Sequence, residues 1–323
     1  MDNEWDCVVV GGGAAGLSAA LALGRARRRT LVVDAGGQSN LAAHGIGGLL
    51  GHDGRPPARL YEAGRAELGA YPTVEHRRGE VVTGISDGGG FVLELADGTR
   101  ERTRRVLLAT GMDYRTPDIP GLAELWGRSA FHCPFCHGWE MRDQPLAVLA
   151  RGERSVHMAL MLRGWTDDVV VLTDGPAGLD DDSGQKMTAA GVSVDQRKIA
   201  EFISDSGELI AVGFTDGTSV ARRGVLVAAS LHQRSTLAAQ LGVAAAPPGA
   251  VAVDAVEIDP LHRTSVRGVF SAGDLSAQMP QVAAAIATGS LSAAAVMQSL
   301  LADDVGLPVP PWPNQKENAD VHA

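Results

Sequence analysis

The chain has 323 residues, of which 45% are hydrophobic, so it is long enough to form two ordinary domains of roughly 100 to 200 residues each. Its 28 basic and 38 acidic residues give a formal net charge of -10, which disfavours nucleic acids and anionic membranes as general partners. No basic segment followed by an apolar run opens the sequence, and no apolar stretch is expected to approach the ~18 residues of a membrane span. We therefore expect a globular, cytoplasmic protein.

The N-terminal segment predicts a dinucleotide-binding βαβ unit. An apolar strand over residues 6–10 leads into the turn Gly11-Gly12-Gly13-Ala14-Ala15-Gly16, a helix rich in small residues follows, and a second strand over residues 30–33 ends in Asp34. Glycines in such a turn let the backbone approach a pyrophosphate, and the helix N-terminus favours its negative charge. The acidic residue accepts a hydrogen bond from a ribose hydroxyl. The complete unit therefore predicts a bound dinucleotide.

The central motif Cys133-Pro-Phe-Cys136 holds two of the three cysteines in the chain. A CxxC pair can form a small disulfide, and a thiol in such a motif can have its pKa lowered well below the free value of about 8.5. Redox chemistry is the favoured interpretation, and half of a zinc site or two packing cysteines are the alternatives. Zinc needs about four ligands, whereas the remaining cysteine, Cys7, lies in the first predicted strand, where we expect a buried, inert thiol. No metal site is expected.

Two later strands end in motifs of small residues. Residues 105–108 run into Ala109-Thr110-Gly111, and residues 268–272 run into Gly273-Asp274. Taken alone, the second motif could be an ordinary Gly-Asp turn after a strand. Together with the N-terminal turn, however, the motifs resemble in type and chain order the FAD-binding set of flavoproteins that have two dinucleotide-binding folds. In those proteins the aspartate, here Asp274, contacts the ribityl or pyrophosphate part of FAD.

With the cysteines added, the chain resembles the low-molecular-weight thioredoxin reductases to about residue 300. In that family the redox CxxC lies in a domain inserted between the two later FAD motifs, as here, and members are usually homodimers. Gln281-Val282-Ala283 matches the family run that meets the flavin ring, although Pro280 stands where the family usually has Arg. The resemblance implies FAD contacts at Gly11, Gly13, Ala14, Ala15, Gly16, Asp34, Gln38, Val82, Thr110, Gly111, Gly273, Asp274, Gln281 and Val282.

The order of the motifs predicts an α/β fold with two Rossmann-like, three-layer ββα domains, the second inserted in the first. The strand and turn pattern of residues 81–98 recurs at residues 209–229, as expected of a duplicated fold. After Gly306 a Pro-rich, polar segment is typical of a mobile tail, although Trp312 could dock on a neighbouring subunit. The expected parts are a first FAD-binding part over 1–117, an inserted NAD(P)-binding-like domain with the CxxC over 118–244, a second FAD-binding part over 245–305 and a C-terminal tail over 306–323.

The inserted domain lacks the motifs that hold NADPH in a thioredoxin reductase. That family has a second GxGxxA turn and, one strand later, a His-Arg-Arg that binds the 2′-phosphate. Here the matching strand continues into Ala150-Arg151-Gly152-Glu153-Arg154-Ser155, and the next strand is followed by Thr173-Asp174 and by Asp180-Asp181-Asp182. These carboxylates would repel NADPH by roughly a few kcal/mol in a partly desolvated cleft. NADPH is therefore not an expected partner; the alternative is that Arg151 and Arg154 bind phosphates in an altered way.

The segment from His132 to Glu140, with sequence HCPFCHGWE, is similar to that of the thioredoxin-reductase-like dithiol oxidases. These enzymes form disulfides in natural products such as gliotoxin, holomycin and romidepsin. Thioredoxin reductases have Asp after the second cysteine, where this chain has His137, and an imidazole with a pKa near about 6.5 accepts a thiol proton at neutral pH better than a carboxylate does.

The resemblance implies a catalytic sequence for a small-molecule dithiol. The substrate thiolate attacks Cys133, the more exposed sulfur by family analogy, while Cys136 passes electrons to FAD. Dioxygen then takes the electrons and becomes hydrogen peroxide. His137, with His132 as the lesser candidate, takes up the thiol protons.

Two functions of other classes use the same motifs. One is a thioredoxin reductase that takes electrons from NADPH, ferredoxin or reduced flavin and reduces a thioredoxin-like protein. The other is a non-catalytic flavoprotein that senses redox state through the CxxC pair and binds a partner. The three functions differ in what reduces the flavin in the absence of air.

Overall fold

The computed structural model describes residues 4–276 and 280–313. Its strands are β1 (Glu4–Val10), β2 (Thr30–Asp34), β3 (Val74–Arg78), β4 (Val81–Asp87), β5 (Gly90–Leu95), β6 (Arg100–Leu108), β7 (Met112–Arg115), β8 (Ala130–Phe131), β9 (Leu146–Leu149), β10 (Val169–Leu172), β11 (Ser193–Asp195), β12 (Ile199–Asp205), β13 (Glu208–Phe214), β14 (Ser219–Ala221), β15 (Gly224–Val227), β16 (Ser230–Gln233) and β17 (Val269–Ser271). Its helices are α1 (Ala14–Arg25), α2 (Pro57–Leu68), α3 (Pro134–His137), α4 (Gly152–Leu162), α5 (Asp181–Ala189), α6 (Leu237–Gln240) and α7 (Val282–Val305).

The chain divides into two compact units. The first contains the described residues of Met1–Ser39, Ala58–Asp113 and Leu231–Ala323, and the second consists of Asn40–Pro57 and Tyr114–Ser230. These bounds differ from the boundaries at 117 and 244 that the sequence motifs suggested, and in addition they assign a stretch before residue 58 to the second unit.

Side-chain and backbone contacts explain both differences. The loop of residues 40–57 packs with the second unit: a Cβ on Gly47 would lie 2.4 Å from the carbonyl oxygen of Cys136. Residues 231–244 pack with the first unit, where the side chain of Gln240 accepts a hydrogen bond from the amide of Gly84 at 3.0 Å and donates one to the carbonyl of Val82 at 3.1 Å. Neither contact leaves a pattern in the local sequence.

The first unit is built on a sheet with the strand order β3-β2-β1-β6-β5-β4, and β17 pairs with β6. The pairs among β1, β2, β3, β6 and β17 are parallel, whereas β4, β5 and β6 pair antiparallel. Because the carboxyl ends of parallel strands meet at one edge of a sheet, the segments after β1, β2, β6 and β17 meet there. Those are the segments that carry the predicted dinucleotide motifs.

Helix α7 completes the core of the first unit. By length and composition it could cross a membrane, so the expectation that no apolar stretch reaches this length is wrong. The helix packs along α1, and the approach is close because a Cβ on Gly289 would lie 2.1 Å from the carbonyl oxygen of Ala15. Near its C-terminus, Asp303 pairs with the buried Arg105. Its buried residues are Ala285, Gly289, Ser292, Ala293, Ala295, Val296 and Leu300.

The second unit repeats this design around a parallel sheet with the order β11-β10-β9-β15-β8 and a separate antiparallel sheet, β12-β13-β14. Strand β9 alternates between two cores: Ala147 and Leu149 pack with Phe214 of the antiparallel layer, whereas Val148 packs with Leu162 of α4. This alternation places a layer on each face of the sheet. The predicted α/β fold with two Rossmann-like domains is confirmed.

The start of the predicted tail is part of the first unit. Trp312 is buried, donates a hydrogen bond from Nε1 to the carbonyl of Thr264 at 2.8 Å, and meets the ring of Phe270 edge-on at 5.3 Å. The guanidinium of Arg263 donates to the carbonyl oxygens of Pro310 and Pro311. Trp312 therefore docks on its own chain rather than on a neighbouring subunit. The rest of the predicted tail, residues 314–323, lies outside the described residues.

Candidate functional site

The turn between β1 and α1 is tight on its inner side and open at its tip. Gly11 has a φ of 110°, and a Cβ there would lie 2.2 Å from the carbonyl oxygen of Ala109; a Cβ on Gly16 would lie 1.8 Å from the carbonyl oxygen of Gly11. Only glycine fits at these two positions. At Gly13, which precedes α1, the nearest atom to a Cβ would be Cγ of Gln38 at 3.8 Å. Space for a ligand therefore remains beside Gly13.

The N-terminus of α1 is suited to an anion. No side chain caps the helix at Gly13, and its first turn, which begins Ala14-Ala15-Gly16, contains no acidic residue. The first amides of a helix have no intrahelical partner, and the helix dipole favours negative charge there. The arrangement fits a pyrophosphate bound by backbone amides.

Asp34, at the end of β2, lies beside this turn and is buried. Its Oδ1 accepts hydrogen bonds from the amides of Gly12 at 3.2 Å and Gly36 at 2.9 Å. Gln38 Nε2 lies 3.3 Å from both carboxylate oxygens. His76 Nε2, on the neighbouring strand β3, is 3.8 Å from Oδ2 and has no hydrogen-bond partner. Oδ2 is therefore the oxygen with more capacity for a ribose hydroxyl. No sequence motif indicates His76, because it lies beside Asp34 only through the pairing of β2 with β3.

The two later motifs come to the same turn. A Cβ on Gly11 would lie 3.1 Å from the amide nitrogen of Thr110, which Gly111 follows at the end of β6. Gly273 has a φ of 74°, and a Cβ there would lie 2.9 Å from Cβ of Ala15. The structure thus brings both motifs against the start of α1.

The remaining predicted cofactor residues lie around these motifs. Asp274 follows Gly273 and is half-buried. Gln281 directly precedes α7 and Val282 begins that helix, where Thr288 Oγ1 accepts a hydrogen bond from the amide of Gly273 at 3.1 Å. Val82 lies on β4, at the end of the sheet order, with 39% of its surface exposed.

In the second unit, Cys133 and Cys136 form a disulfide across the short helix α3, with their Cα atoms 5.3 Å apart. The helix begins at Pro134, which suits the first helical position because proline has no amide hydrogen to leave unpaired. Cys133 is buried with 8% of its surface exposed, whereas Cys136 is half-buried. The expectation that Cys133 is the more exposed cysteine is therefore wrong, because Cys133 lies only two residues after the buried strand β8.

The third cysteine is separate from this pair. Cys7 is a fully buried free thiol in β1, and burial raises its pKa, so the predicted inert thiol is confirmed. Within residues 4–276 and 280–313, no group of three or more His, Cys, Asp or Glu side chains could hold a metal ion.

His137 ends α3 as a largely buried, neutral imidazole. Burial lowers the pKa of its imidazole. Its ring stacks on Phe131 at 5.5 Å, and both ring nitrogens are buried without a hydrogen-bond partner. A neutral ring with a free nitrogen beside a disulfide can accept a thiol proton.

His132 is held differently. Burial, together with the charges of His137 and Arg154, lowers the pKa of His132 to about 4. Its ring lies 4.4 Å from that of Tyr114 and is stacked 5.8 Å from that of Trp126. A base with this pKa is weak at neutral pH, so the structure favours His137 over His132 as proton acceptor.

The turn between β9 and α4 is closed by the chain itself. Arg151 donates from Nε to the carbonyl of Thr173 at 2.5 Å and from its terminal nitrogen to the carbonyl of Asp174. The amide of Gly152, the first of α4, donates to the carbonyl of Ala177 at 2.9 Å. Arg154 donates to the carbonyl of Ala229 at 2.6 Å. These donors are committed to protein carbonyls.

This second turn also carries negatively charged side chains. Glu153 lies in the first turn of α4. The carboxylate of Asp174 accepts hydrogen bonds from Lys198 Nζ at 2.6 Å and from the amide of Ile199 at 2.9 Å. The nearby lysine is thus also occupied.

Known proteins match this chain over nearly its whole length, which includes the residues described above. A family model described as pyridine nucleotide-disulphide oxidoreductase matches residues 5–289. The chain is 33% identical to thioredoxin reductase tcpT of Claviceps purpurea (strain 20.1), with 93% of this chain and 96% of that protein covered. Among solved structures it is similar to HlmI, with 35% identity, a TM-score of 0.89 and coverage of 100% and 99%. It is also similar to an oxidoreductase from Agrobacterium tumefaciens, with 35% identity, a TM-score of 0.87 and coverage of 92% and 99%.

Proposed function

Because the chain belongs to the pyridine nucleotide-disulphide oxidoreductase family, we propose that this oxidoreductase is a FAD-dependent dithiol oxidase. In the proposed reaction a small-molecule dithiol loses two protons and two electrons and forms a disulfide. One dioxygen takes up the same two electrons and two protons and becomes hydrogen peroxide.

FAD is the cofactor of this family, and the first unit fits it. The open N-terminus of α1 would hold the pyrophosphate, and Asp34 with Gln38 would hold the adenosine ribose. Asp274 and the segment that begins at Gln281 would contact the rest of the cofactor by family resemblance. When bound, FAD supplies an acceptor for the electron pair that leaves the cysteines.

The residues of the second unit carry out the thiol exchange. By family resemblance, a substrate thiolate attacks Cys133, the Cys133–Cys136 bond breaks, and a mixed disulfide forms. The second substrate thiol then attacks that mixed disulfide, which releases the product and leaves both cysteines reduced. His137 accepts a thiol proton at a ring nitrogen, as its neutral state and lack of hydrogen-bond partners permit. The burial of Cys133 favours a small thiol over a cysteine on a protein surface.

The observation that carries the proposal is the closed turn in the same unit as the disulfide. Arg151 and the first amide of α4 are committed to carbonyls of the loop after β10, so the donors that would bind a nucleotide pyrophosphate are occupied. This supports thiols rather than NADPH as the source of electrons. The remaining free carboxylate in that turn, Glu153, further disfavours a phosphate.

A second candidate is a thioredoxin reductase, which the name of the Claviceps purpurea relative favours. Anaerobic mixing separates the two functions. For a dithiol oxidase, dithiothreitol bleaches the flavin absorbance, re-aeration restores it with formation of hydrogen peroxide, and NADPH has no effect. Bleaching by NADPH at a useful turnover, together with reduction of a thioredoxin, would establish the reductase instead. Bleaching by neither reagent would contradict both.

A further inference from the structure

The two exposed Phe, Tyr or Trp side chains in the described part of the chain lie within three residues of Cys136 in the sequence. Phe135 is 57% exposed and Trp139 is 66% exposed, while the other aromatic residues within 4–276 and 280–313 are buried or half-buried. Exposed apolar residues are common singly, but large ones that cluster at a reactive group indicate a binding surface. From the sequence alone, packing is a more frequent role for these two residues than contact with a substrate.

Both rings are supported from one side. Phe135 meets the ring of Trp165 edge-on at 5.5 Å. Trp165 packs closely against Gly138. A Cβ at that position would lie 2.8 Å from the indole ring, so the packing requires glycine there. The guanidinium of Arg142 covers Trp139 at 4.0 Å and donates to the carbonyl of Trp139 at 2.7 Å. The rings are therefore held in place although their surfaces remain open.

We propose that Phe135 and Trp139 bind an aromatic or heteroaromatic ring of the dithiol substrate. This inference rests on the proposed dithiol oxidase function and names its substrate class: dithiols whose sulfur atoms are carried on a planar ring system. Phe135 lies between Cys133 and Cys136 in the chain, inside the loop that the disulfide closes. Aromatic rings stack on one another in offset or edge-to-face geometry and gain affinity beyond simple burial.

The occupant is a small molecule rather than a protein because Cys133 is only 8% exposed. A thiol on a small, flat molecule can enter a site of this kind, whereas a cysteine on a folded protein needs an exposed sulfur to attack. The exposed carboxylate of Glu140, one residue after Trp139, disfavours an anionic ligand.

The test compares two dithiol probes, ortho-xylylene dithiol and dithiothreitol. Both close to cyclic disulfides of the same ring size, so they differ chiefly in the benzene ring. In the wild-type protein, kcat/KM should favour the aromatic probe. In Phe135→Leu and Trp139→Leu this preference should fall by about three- to tenfold, the loss expected for one aromatic contact. The change should lie in KM for the aromatic probe.

Two control variants test whether the effect depends on an aromatic ring or only on an exposed apolar side chain. Trp139→Phe should retain most of the preference because it keeps a ring. Ile210→Ser removes an apolar side chain that is 37% exposed elsewhere in the second unit and should change neither probe. Equal losses for both probes, an unchanged preference in both Leu variants, or a change of oligomeric state in them would overturn the proposal. A selective loss of thioredoxin reduction would also overturn it, in favour of a protein-docking surface.

A binding measurement distinguishes failure of this inference from failure of the proposed function. Ortho-xylylene glycol carries the ring without thiols and should quench tryptophan fluorescence in the wild-type protein but far less in Trp139→Leu. If neither dithiol is oxidised while this quenching persists, the oxidase function fails and the ring site stands. If both dithiols are oxidised without quenching or preference, the ring site fails alone.

Discussion

The two dinucleotide-type turns of this chain follow the same kind of strand and begin the same kind of helix, but they offer a ligand opposite environments. At α1, Gly13 leaves open space, no side chain caps the helix, and its first turn contains no acid. At α4, Arg151 fills the turn, the amide of Gly152 already has a carbonyl partner, and Glu153 adds negative charge. A Rossmann-like turn therefore binds a nucleotide only if its helix amides remain free.

The second turn has the backbone of a nucleotide-binding turn, but different groups surround it. Gly152 still has a φ of 58°, and the parallel strands β9, β10 and β15 still end at one edge of the sheet. What changed is the chemistry at that edge, where arginine side chains now satisfy the strand-end carbonyls. The fold of the second unit therefore does not by itself indicate that NADPH binds there. Four predictions test the comparison.

The largest effect is expected for Cys136→Ser. If electrons enter the second unit through the disulfide and not through a nucleotide, this variant should lose flavin reduction by dithiols almost completely, because no disulfide can form. Stopped-flow absorbance without oxygen measures the rate. Cys7→Ala is the control, since Cys7 is a buried free thiol of the first unit, and it should retain the reaction. Bleaching of Cys136→Ser at the wild-type rate would refute the assignment.

The next effect is a matched pair of glycine substitutions, one in each turn. In Gly16→Ala the new Cβ would lie 1.8 Å from the carbonyl oxygen of Gly11, so we expect loss of bound FAD and a fall in the free energy of unfolding of more than about 3 kcal/mol. In Gly152→Ala the nearest atom would lie 3.9 Å away, so only the backbone strain at positive φ remains, about 1 to 2 kcal/mol. FAD content and urea unfolding measure both. Equal losses of FAD would break the comparison.

The third effect is the pH dependence of the free energy of unfolding, and it arises in the second unit, which carries the disulfide. Burial lowers the pKa of His132 to about 4, so the folded protein binds fewer protons than the unfolded chain below about pH 6.5. Unfolding then takes up protons, and stability present above that pH is lost as the pH falls. From about pH 7 to about pH 5, His132 should lower the free energy of unfolding by about 2 kcal/mol.

His132→Phe should remove that pH dependence while it preserves the stack with Tyr114 and Trp126. Burial also lowers the pKa of His262 in the first unit, where the histidine is half-buried, so His262→Phe should have a smaller effect. Urea unfolding at both pH values measures the difference. An unchanged pH dependence in His132→Phe would contradict the prediction.

The smallest effect is expected for Arg151→Ala, which removes the side chain that closes the second turn. The carbonyls of Thr173 and Asp174 would lose a charged donor, but the Arg151 side chain is 56% exposed, so water can replace it. We expect a loss of about 1 kcal/mol in the free energy of unfolding and no bleaching of the flavin by NADPH, because Glu153 remains. Arg59→Ala, which breaks an exposed ion pair with Glu62, is the control at less than about 0.5 kcal/mol. NADPH turnover by Arg151→Ala would show that this arginine alone blocks the turn.

The sequence by itself determined the features that depend on local pattern. The α/β fold follows from apolar strands that alternate with helices, and the nucleotide turn follows from glycines at positions where a side chain would collide, as the structure shows at Gly11 and Gly16. The disulfide follows from the spacing of Cys133 and Cys136, and the altered second turn follows from Ala150 in place of the tight-turn glycine and from the bulky Arg151 beside it.

The tertiary structure alone decided what depends on contacts between segments that are distant in the chain. It placed His76 beside Asp34 through the pairing of β2 and β3, and it seated Gly47 against Cys136. It buried Cys133 more than Cys136 and left Phe135 exposed between them. Burial and hydrogen bonding are sums over neighbours from many parts of the chain, so a local pattern indicates which residues are present but not which of them remain free to react.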